Sequence, residues 1–290
     1  MQFTTINLSI LLIVSAVNSL QISRRHVIAS AGLVTTVIPS IANAGDSLSV
    51  KLSKKDPSVL KNSIFNIPPL PQSFPDWMKG SWQVTSKFGG YLFPSQTIPR
   101  DRLTQDFAIP GFQKCSIAAT SDVGLDHVSY QMTILENGLE DRRSTLTSQI
   151  DAYLGYKAVS HILYDEKLNA NRLSVDFVDF KTINAERIEL FCNGREREEI
   201  DRDGVRGFLH SEYIRQVTFG TGSTVGVPRQ VGGNYGHFWT WWQVDDTHLK
   251  GNLLTAAYLD PQDALYFNEP SKPVAVYSHV LSAERIPIVL

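Results

Sequence analysis

The sequence lacks the patterns that identify a metal, nucleotide or catalytic centre. It has two cysteines in 290 residues, too few for a cysteine-only zinc site or a dense disulfide framework. Its histidines show no metal-ligand spacing, and no Gly-x-Ser-x-Gly nucleophile elbow occurs. The glycines between Gly220 and Gly233 do not follow the spacing of a phosphate loop. We therefore predict no metal, cofactor or catalytic residue, and an enzyme is the least favoured class.

A surplus of positive charge is also missing. Lysine and arginine number 27 against 29 aspartates and glutamates, which gives a formal net charge of −2. Nucleic-acid binding normally requires a basic face, and docking on an anionic membrane requires a basic cluster. The charge balance therefore argues against both of these partners.

Long hydrophobic runs are absent, but two short ones occur near the N-terminus. Residues 10–17 form the first, and residues 28–41 form the second, directly after the Arg24-Arg25 pair and before Ala42-Asn43-Ala44. Both are too short for a permanent membrane span. We interpret residues 1–44 as a bipartite leader, with a secretory-type signal followed by a twin-arginine signal. Such a tandem predicts the thylakoid lumen of a plastid; a single export signal or an anchor over 28–41 are the alternatives.

Residues 45–75 differ in composition from the rest of the chain. They are polar at first and then rich in proline, with four prolines between Pro68 and Pro75. Prolines at this density oppose helices and inner strands. The sequence therefore predicts an extended arm, either wrapped on the body or free to bind a partner, followed by one domain over residues 76–290.

The most distinctive stretch is residues 234–244, which holds three of the five tryptophans. Successive side chains of an extended chain point to opposite faces. Phe238, Thr240 and Trp242 are therefore predicted on one face, and Trp239 and Trp241 on the other. Bulky aromatics on both faces indicate a strand that is covered on one side and lines an interior on the other.

Alternating apolar positions and turn residues recur along the domain. Asn137-Gly138 and Asn193-Gly194 are typical of tight turns, and the acids of residues 201–204 are typical of a turn as well. Helical spacing occurs once, over residues 144–161, with Ser144 as a candidate cap. Strands are predicted over residues 82–88, 126–136, 173–180, 187–193, 208–219, 234–244, 247–259 and 274–286. This pattern predicts a mainly β fold, an antiparallel barrel of about 8–10 strands with one flanking or plugging helix.

Several segments resemble an uncharacterised family of cyanobacterial and plastid proteins, a domain of unknown function. They are residues 75–82, 208–216, 257–267 and 273–278, so that the resemblance spans about residues 74–286. The Gly80-x-Trp82 opening is similar to that of lipocalins and other calycins, whose tryptophan plugs one end of a barrel. The resemblance implies a plastid location and a lipocalin-like architecture, but it provides no catalytic residues.

The candidate site residues are aromatic side chains and one arginine. The aromatics either fill the core of a small barrel or line a cavity for a flat apolar ligand. Arg215 at a barrel mouth would bind a carboxylate or phosphate. Glu212, three residues earlier in the same strand, is predicted on the opposite face. The ligand-binding candidates are Trp82, Arg215, Tyr235, Trp239, Trp241, Trp242 and Tyr258.

Cys115 and Cys192 lie in different predicted elements. They either form one disulfide in an oxidising lumen or are two separate buried thiols.

Two functions follow as expectations. The first is a lumenal protein that binds a pigment, quinone or lipid in a barrel cavity. The second is a non-enzymatic assembly factor that binds a thylakoid protein complex through its surface.

Overall fold

The computed structural model describes residues 46–54, 56–62, 68–105, 125–179, 182, 185–220 and 230–287. The α-helices within these ranges are α1 (Leu48–Ser53), α2 (Arg100–Gln105), α3 (Arg142–Leu154) and α4 (Glu166–Asn169). The strands are β1 (Gly80–Leu92), β2 (Val128–Ile134), β3 (Val159–Leu163), β4 (Arg172–Phe177), β5 (Arg187–Arg202), β6 (Val205–Phe219), β7 (Gln230–Gln243), β8 (His248–Tyr258) and β9 (Pro273–Arg285). In the described part of the chain, no helix is long and apolar enough to cross a bilayer.

All nine described strands belong to one antiparallel sheet, in the order β2-β1-β9-β8-β7-β6-β5-β4-β3. The predicted mainly β, antiparallel fold is confirmed, and the tryptophan-rich β7 lies at the centre of the sheet. The described strands do not close into the predicted lipocalin/calycin-like barrel. β2 and β3 form the two edges, and no pairing joins them. The sheet is therefore open.

Helix α3 contacts both edges of the open sheet, and its side chains bind the backbone there. Gln131 N on β2 donates a 2.8 Å hydrogen bond to Ser148 Oγ. Ala158 N and Val159 N, where β3 begins, donate bonds of 2.8 and 2.9 Å to Asp151 Oδ1. Edge amides require partners or cover. The helix supplies them, so it takes the place of the strand pairing that would close a barrel.

The helix ends earlier than residues 144–161 predicted. It spans Arg142–Leu154, and the side chain of Asp141 caps it by accepting a bond from Ser144 N. Gly155 ends it with a φ of 76°, a left-handed conformation that glycine adopts readily. The apolar residues after Gly155 form β3 instead. A short apolar run is compatible with both helical and strand periodicity, so the sequence pattern did not distinguish the two.

The predicted turns had different outcomes. Gly138 takes a φ of 79° in the turn after β2, as predicted. Gly194 does not take a positive φ; the register shifts between Cys192 and Gly194, which is a β-bulge within a continuing strand. β5 therefore runs on to Arg202, and the β5–β6 turn is formed at Asp203 and Gly204, within the predicted acidic turn.

The side chains of β7 divide the core into two layers, as their alternation predicted. Trp241 packs with Trp82 and Phe208 on the side of helix α3, which we call the inner face. Phe238 packs with Tyr258 among the apolar residues of the opposite side, the outer face. The sheet is thus buried on both faces at its centre.

Residues 46–54 and 56–62 of the arm cover the outer face and are not extended as predicted, whereas Phe74 near its end packs into the inner-face core. The residues on the outer face form α1 and a 3₁₀ turn (Pro57–Val59), which are capped by the side chains of Ser47 and Asp56. Leu60 packs into the outer-face cluster, and Tyr258 donates its hydroxyl to Leu60 O at 2.6 Å. The helix and the 3₁₀ turn lie in the polar first half of the arm, whereas residues 68–75, which hold the four clustered prolines, form no helix.

Gly251 on β8 allows Trp241 to pack flat against the sheet. A Cβ atom at Gly251 would lie 2.5 Å from Thr240 O and 2.8 Å from Trp241 Cε3. We expect Gly251→Ala to lower the free energy of unfolding by about 2 kcal/mol or more, since backbone must move. Gly232→Ala is the control, because its Cβ would lie 3.6 Å from Asp260 Oδ2, an ordinary van der Waals distance. Urea denaturation of both variants measures this, and equal stabilities would contradict the packing argument.

Candidate functional site

A row of polar residues crosses the inner face of the sheet. The register pairs Arg195 on β5 with Glu212 on β6, Glu212 with His237 on β7, His237 with Thr255 on β8, and Thr255 with Tyr277 on β9. Directly opposed residues share a face and lie within contact distance. Polar groups on an otherwise apolar inner face need partners, and these partners define the chemistry of the region.

Glu212 is the buried centre of an ion cluster. Its carboxylate accepts hydrogen bonds from Arg142 Nη1 at 2.6 Å, Arg142 Nη2 at 2.9 Å and Arg195 Nε at 2.7 Å. Burial alone would raise the pKa of Glu212, but the two guanidinium groups outweigh it and hold the pKa far below its ordinary value. Glu212 is therefore ionised, and it joins helix α3 to strands β5 and β6.

A second carboxylate lies beside this cluster. Glu140 immediately precedes the cap of helix α3, and burial raises its pKa to about 6. Arg142 opposes that shift and Glu212 adds to it. The cluster therefore has two cations and two anions at neutral pH, and it gains a net positive charge when Glu140 is protonated.

The cluster borders a small cavity with a volume of about 10 Å³. A space of this size holds about one water molecule. Arg142 Nε is buried nearby and has no hydrogen-bond partner among the described residues. The cavity is thus too small for a pigment or a lipid. It is lined by Arg142, Tyr164, Ala170, Asn171, Arg172, Leu173, Leu190, Cys192, Arg195 and Ile214.

Cys192 is buried at the edge of this cavity, and no described residue forms a disulfide with it. Burial raises the pKa of its thiol to about 12, and Glu212 adds to the shift. The thiol is therefore protonated and unreactive at neutral pH. Cys115 lies outside the described residues, so the possible bridge between the two stays a prediction.

Two side chains at the middle of β7 combine a deep position with access to solvent. His237 and Trp239 lie on the inner face of the central strand, and both are only half-buried. Burial nevertheless lowers the pKa of His237 to about 3. Both rings therefore present a partly accessible surface on the inner face. We call the region in front of His237 and Trp239 the inner recess.

His210 stacks against the Trp239 indole and fixes the plane of that ring. The two rings stack in parallel, with centroids 4.5 Å apart and an interplanar angle of 7°. Phe74 and Phe208 contact the imidazole as well. Burial lowers the pKa of His210 to about 3, so the ring is neutral. Neither ring nitrogen has a hydrogen-bond partner in the described part of the chain, which makes His210 an aromatic wall rather than a base.

The inner-face candidates from the sequence have different positions. Trp82, Tyr235 and Trp241 are fully buried in the core, as a filled interior requires. Trp82 Nε1 donates to Met78 O at 2.8 Å, so its polar atom is satisfied. Trp239 is the one predicted inner-face aromatic that reaches the inner recess.

The remaining candidates lie on the outer face and cannot contribute to the inner recess. Arg215 is exposed there, so its predicted position at a barrel mouth is not observed. Trp242 is half-buried beneath Arg202, whose Cζ lies 5.5 Å from the ring centroid. Tyr258 is buried under the arm. Glu212 and Arg215 therefore occupy opposite faces, as predicted.

Arg142, Arg195, His210 and His237 were not predicted as site residues. One signal was available in β6, where His210 and Glu212 share the inner face with the apolar Phe208 and Ile214. Polar residues at buried positions mark a structured polar site. Arg142 and Arg195 gave no such signal. They lie in helix α3 and strand β5, so the pattern of β6 contains no information about them.

Comparisons with known proteins identify a family but no function. A family model described as "Domain of unknown function (DUF6816)" matches residues 72–287. No curated protein and no solved structure matches the chain. A function must therefore be argued from the geometry.

The ion cluster gives a prediction about stability. Replacing Glu212 by glutamine keeps the shape but leaves Arg142 and Arg195 without their counter-ion. Because unpaired buried charge is costly, we expect a loss of about 3 kcal/mol or more in the free energy of unfolding. Glu199→Gln on exposed β5 is the control, with an expected change within about 0.5 kcal/mol. Denaturant unfolding at pH 7.5, a condition about 1.5 units above the pKa of Glu140, measures both. A loss below about 1 kcal/mol for Glu212→Gln would contradict the assignment.

The buried histidines predict a dependence of stability on acid. In the unfolded chain His210 takes up a proton near pH 6.5, but in the fold it does so only near pH 3. Its contribution to stability is complete above pH 6.5 and is lost as pH falls toward 3, at up to about 1.4 kcal/mol per pH unit. The half-buried His237 contributes in the same direction but by less, because its accessible surface lowers the cost of a charge. Glu140 opposes this loss between about pH 6 and 4.5, since its folded pKa is raised.

The measurement is the unfolding free energy from pH 7 to 4 for His210→Phe against the unaltered protein. Phenylalanine keeps the stacking and removes one titrating group. The slope of the unfolding free energy against pH should therefore decrease by the equivalent of up to one bound proton. His161→Phe, at an exposed position on β3, is the matched control and should leave the slope unchanged. An unchanged slope in His210→Phe would refute the neutral buried imidazole.

Proposed function

The chain belongs to the DUF6816 family, and on the geometry of the inner recess we propose that it binds a small hydrophobic molecule there. The observation that supports this proposal is the partial accessibility of His237 and Trp239 on the central strand. In a filled core both rings would be buried as completely as Trp241, which is 1% exposed. An accessible indole at this depth is a binding surface for a flat apolar ligand.

The surroundings of the recess support an apolar ligand. Phe208 and Leu253 are buried beside Trp239, and both belong to the inner-face core. His210 and Trp239 present an aromatic wall of fixed orientation. Ligand sites typically combine such walls with a few polar groups, and His237 is the polar group closest along the strand. A pigment, a quinone or a lipid has the required character.

We further propose that the protein acts in the thylakoid lumen of a plastid. The tandem export signals of residues 1–44 support this location, since the second holds the Arg24-Arg25 pair before a short apolar run. That segment lies outside the described residues. Purification from isolated thylakoids, with the N-terminus of the mature chain determined by mass spectrometry, tests the location.

Exposed leucines favour the second candidate function, an assembly factor that binds a thylakoid complex. Leu70, Leu163 and Leu168 are 85%, 57% and 84% exposed. Arg195 donates to both Leu70 O and Ala170 O, which brings the first leucine close to helix α4 and its Leu168. Neighbouring exposed apolar side chains are typical of protein contact surfaces.

The two tryptophans on opposite faces of β7 test ligand binding. Native mass spectrometry of the protein purified from thylakoids should detect a bound small molecule. Trp239→Ala should reduce its occupancy and weaken rebinding about tenfold, because apolar contact area is lost. Trp242→Ala removes the same side chain from the outer face and should retain full occupancy. A stoichiometric protein partner with no small molecule, in both variants, would favour the assembly role and reject the ligand proposal.

A further inference from the structure

Trp239 and His237, the two rings of the recess, each have one ring nitrogen without a hydrogen-bond partner among the described residues. Trp239 Nε1 is a donor only, and the described residues offer it no acceptor. His237 Nδ1 lies 2.9 Å from Thr255 Oγ1, and the same residues offer no partner to its Nε2. Neither nitrogen is among the buried atoms without a partner, so each keeps some accessible surface.

The bond to Thr255 decides which His237 nitrogen has the proton. Thr255 is fully buried, and His237 Nδ1 is the partner of its hydroxyl. If Nδ1 donated, the hydroxyl hydrogen of Thr255 would be buried without an acceptor, which is costly. Thr255 therefore donates to Nδ1, and the neutral imidazole has its hydrogen on Nε2. Both groups that face the recess are then hydrogen-bond donors.

The charges around the recess disfavour an anionic ligand. Arg142 binds both oxygens of Glu212, and Arg195 divides its donors between Glu212 and backbone or amide oxygens. His237 is neutral, and the exposed Arg215 lies on the outer face. The charges of both guanidinium groups are therefore compensated within the ion cluster of Glu212 rather than available to a ligand in the recess. A carboxylate or phosphate there would be buried without a counter-ion.

We propose that the ligand of the inner recess has an uncharged hydrogen-bond acceptor, a ketone, quinone or ester carbonyl, which Trp239 Nε1 and His237 Nε2 bind. This inference rests on the proposed function and specifies its ligand class. Residues two apart on a strand lie roughly 6.5–7 Å apart along the chain. A quinone, which has two carbonyl groups on one flat ring, can therefore accept a hydrogen bond from each donor. The two oxygens of an ester are bonded to the same carbon, so they lie too close together to do so.

The test uses four probes with the same decyl tail. They are a decyl-substituted benzoquinone, methyl undecanoate as the ester, decylbenzene with no polar group, and 4-decylbenzoate with a charged head. Isothermal titration calorimetry with the delipidated full mature chain gives each affinity. We expect a carbonyl probe to bind roughly fivefold to tenfold more tightly than decylbenzene, as one or two hydrogen bonds allow. The benzoate should bind most weakly.

Variants separate the hydrogen bonds from the apolar contact. Trp239→Phe and His237→Phe keep aromatic rings but remove the donors, so each should weaken the carbonyl probe roughly fivefold and leave decylbenzene within about twofold. Trp242→Phe is the control and should change neither affinity. Thermal unfolding confirms that each variant is folded.

The outcomes are distinguishable. Tightest binding of the benzoate, or equal effects of Trp239→Phe on all probes, would overturn the carbonyl assignment while the hydrophobic site stands. Failure of decylbenzene and every other probe to bind would overturn the proposed function itself. Preference for the quinone over the ester identifies the two-carbonyl ligand, and the reverse preference identifies a lipid ester.

Discussion

The structure depends on how an open sheet satisfies its two edges. A sheet of nine strands that does not close leaves backbone amides on β2 and β3 in need of partners. Helix α3 provides them through Ser148 and Asp151, and Arg142 at the start of the helix binds Glu212 on β6. The helix is therefore held by the two edges and by a buried charge on the inner face.

This arrangement explains why a polar cluster lies inside an otherwise apolar core. A helix that crosses a gap needs interactions that fix its position, and a bidentate arginine–carboxylate pair is directional. Buried ion pairs are weak evidence for stability but restrict geometry well. The same cluster commits both guanidinium groups, so the neighbouring recess is left with neutral donors from Trp239 and His237. The ligand chemistry we infer is thus a consequence of how the helix is attached.

Sequence reasoning succeeded where the signal was local. Alternation in residues 234–244 placed Trp241 and Phe238 on opposite faces, and Gly138 formed the predicted turn. It failed where two local patterns competed. Gly155 ended a helix that apolar spacing would have continued, and Gly194 joined a bulge rather than a turn because its neighbours remained paired with β6. The prediction of a closed barrel was wrong, because pairing between the edge strands depends on contacts between distant segments.

The sequence by itself determined the mainly β class and the two faces of the central strand β7, because a period of two residues is a property of the extended backbone. The tertiary structure alone decided that Trp239 is accessible while Trp241 is buried, although both share one face. It also decided that Glu212 is bound by Arg142 and Arg195 rather than by Arg215. Accessibility and charge pairing depend on which distant segments cover a strand, and local periodicity does not encode that information.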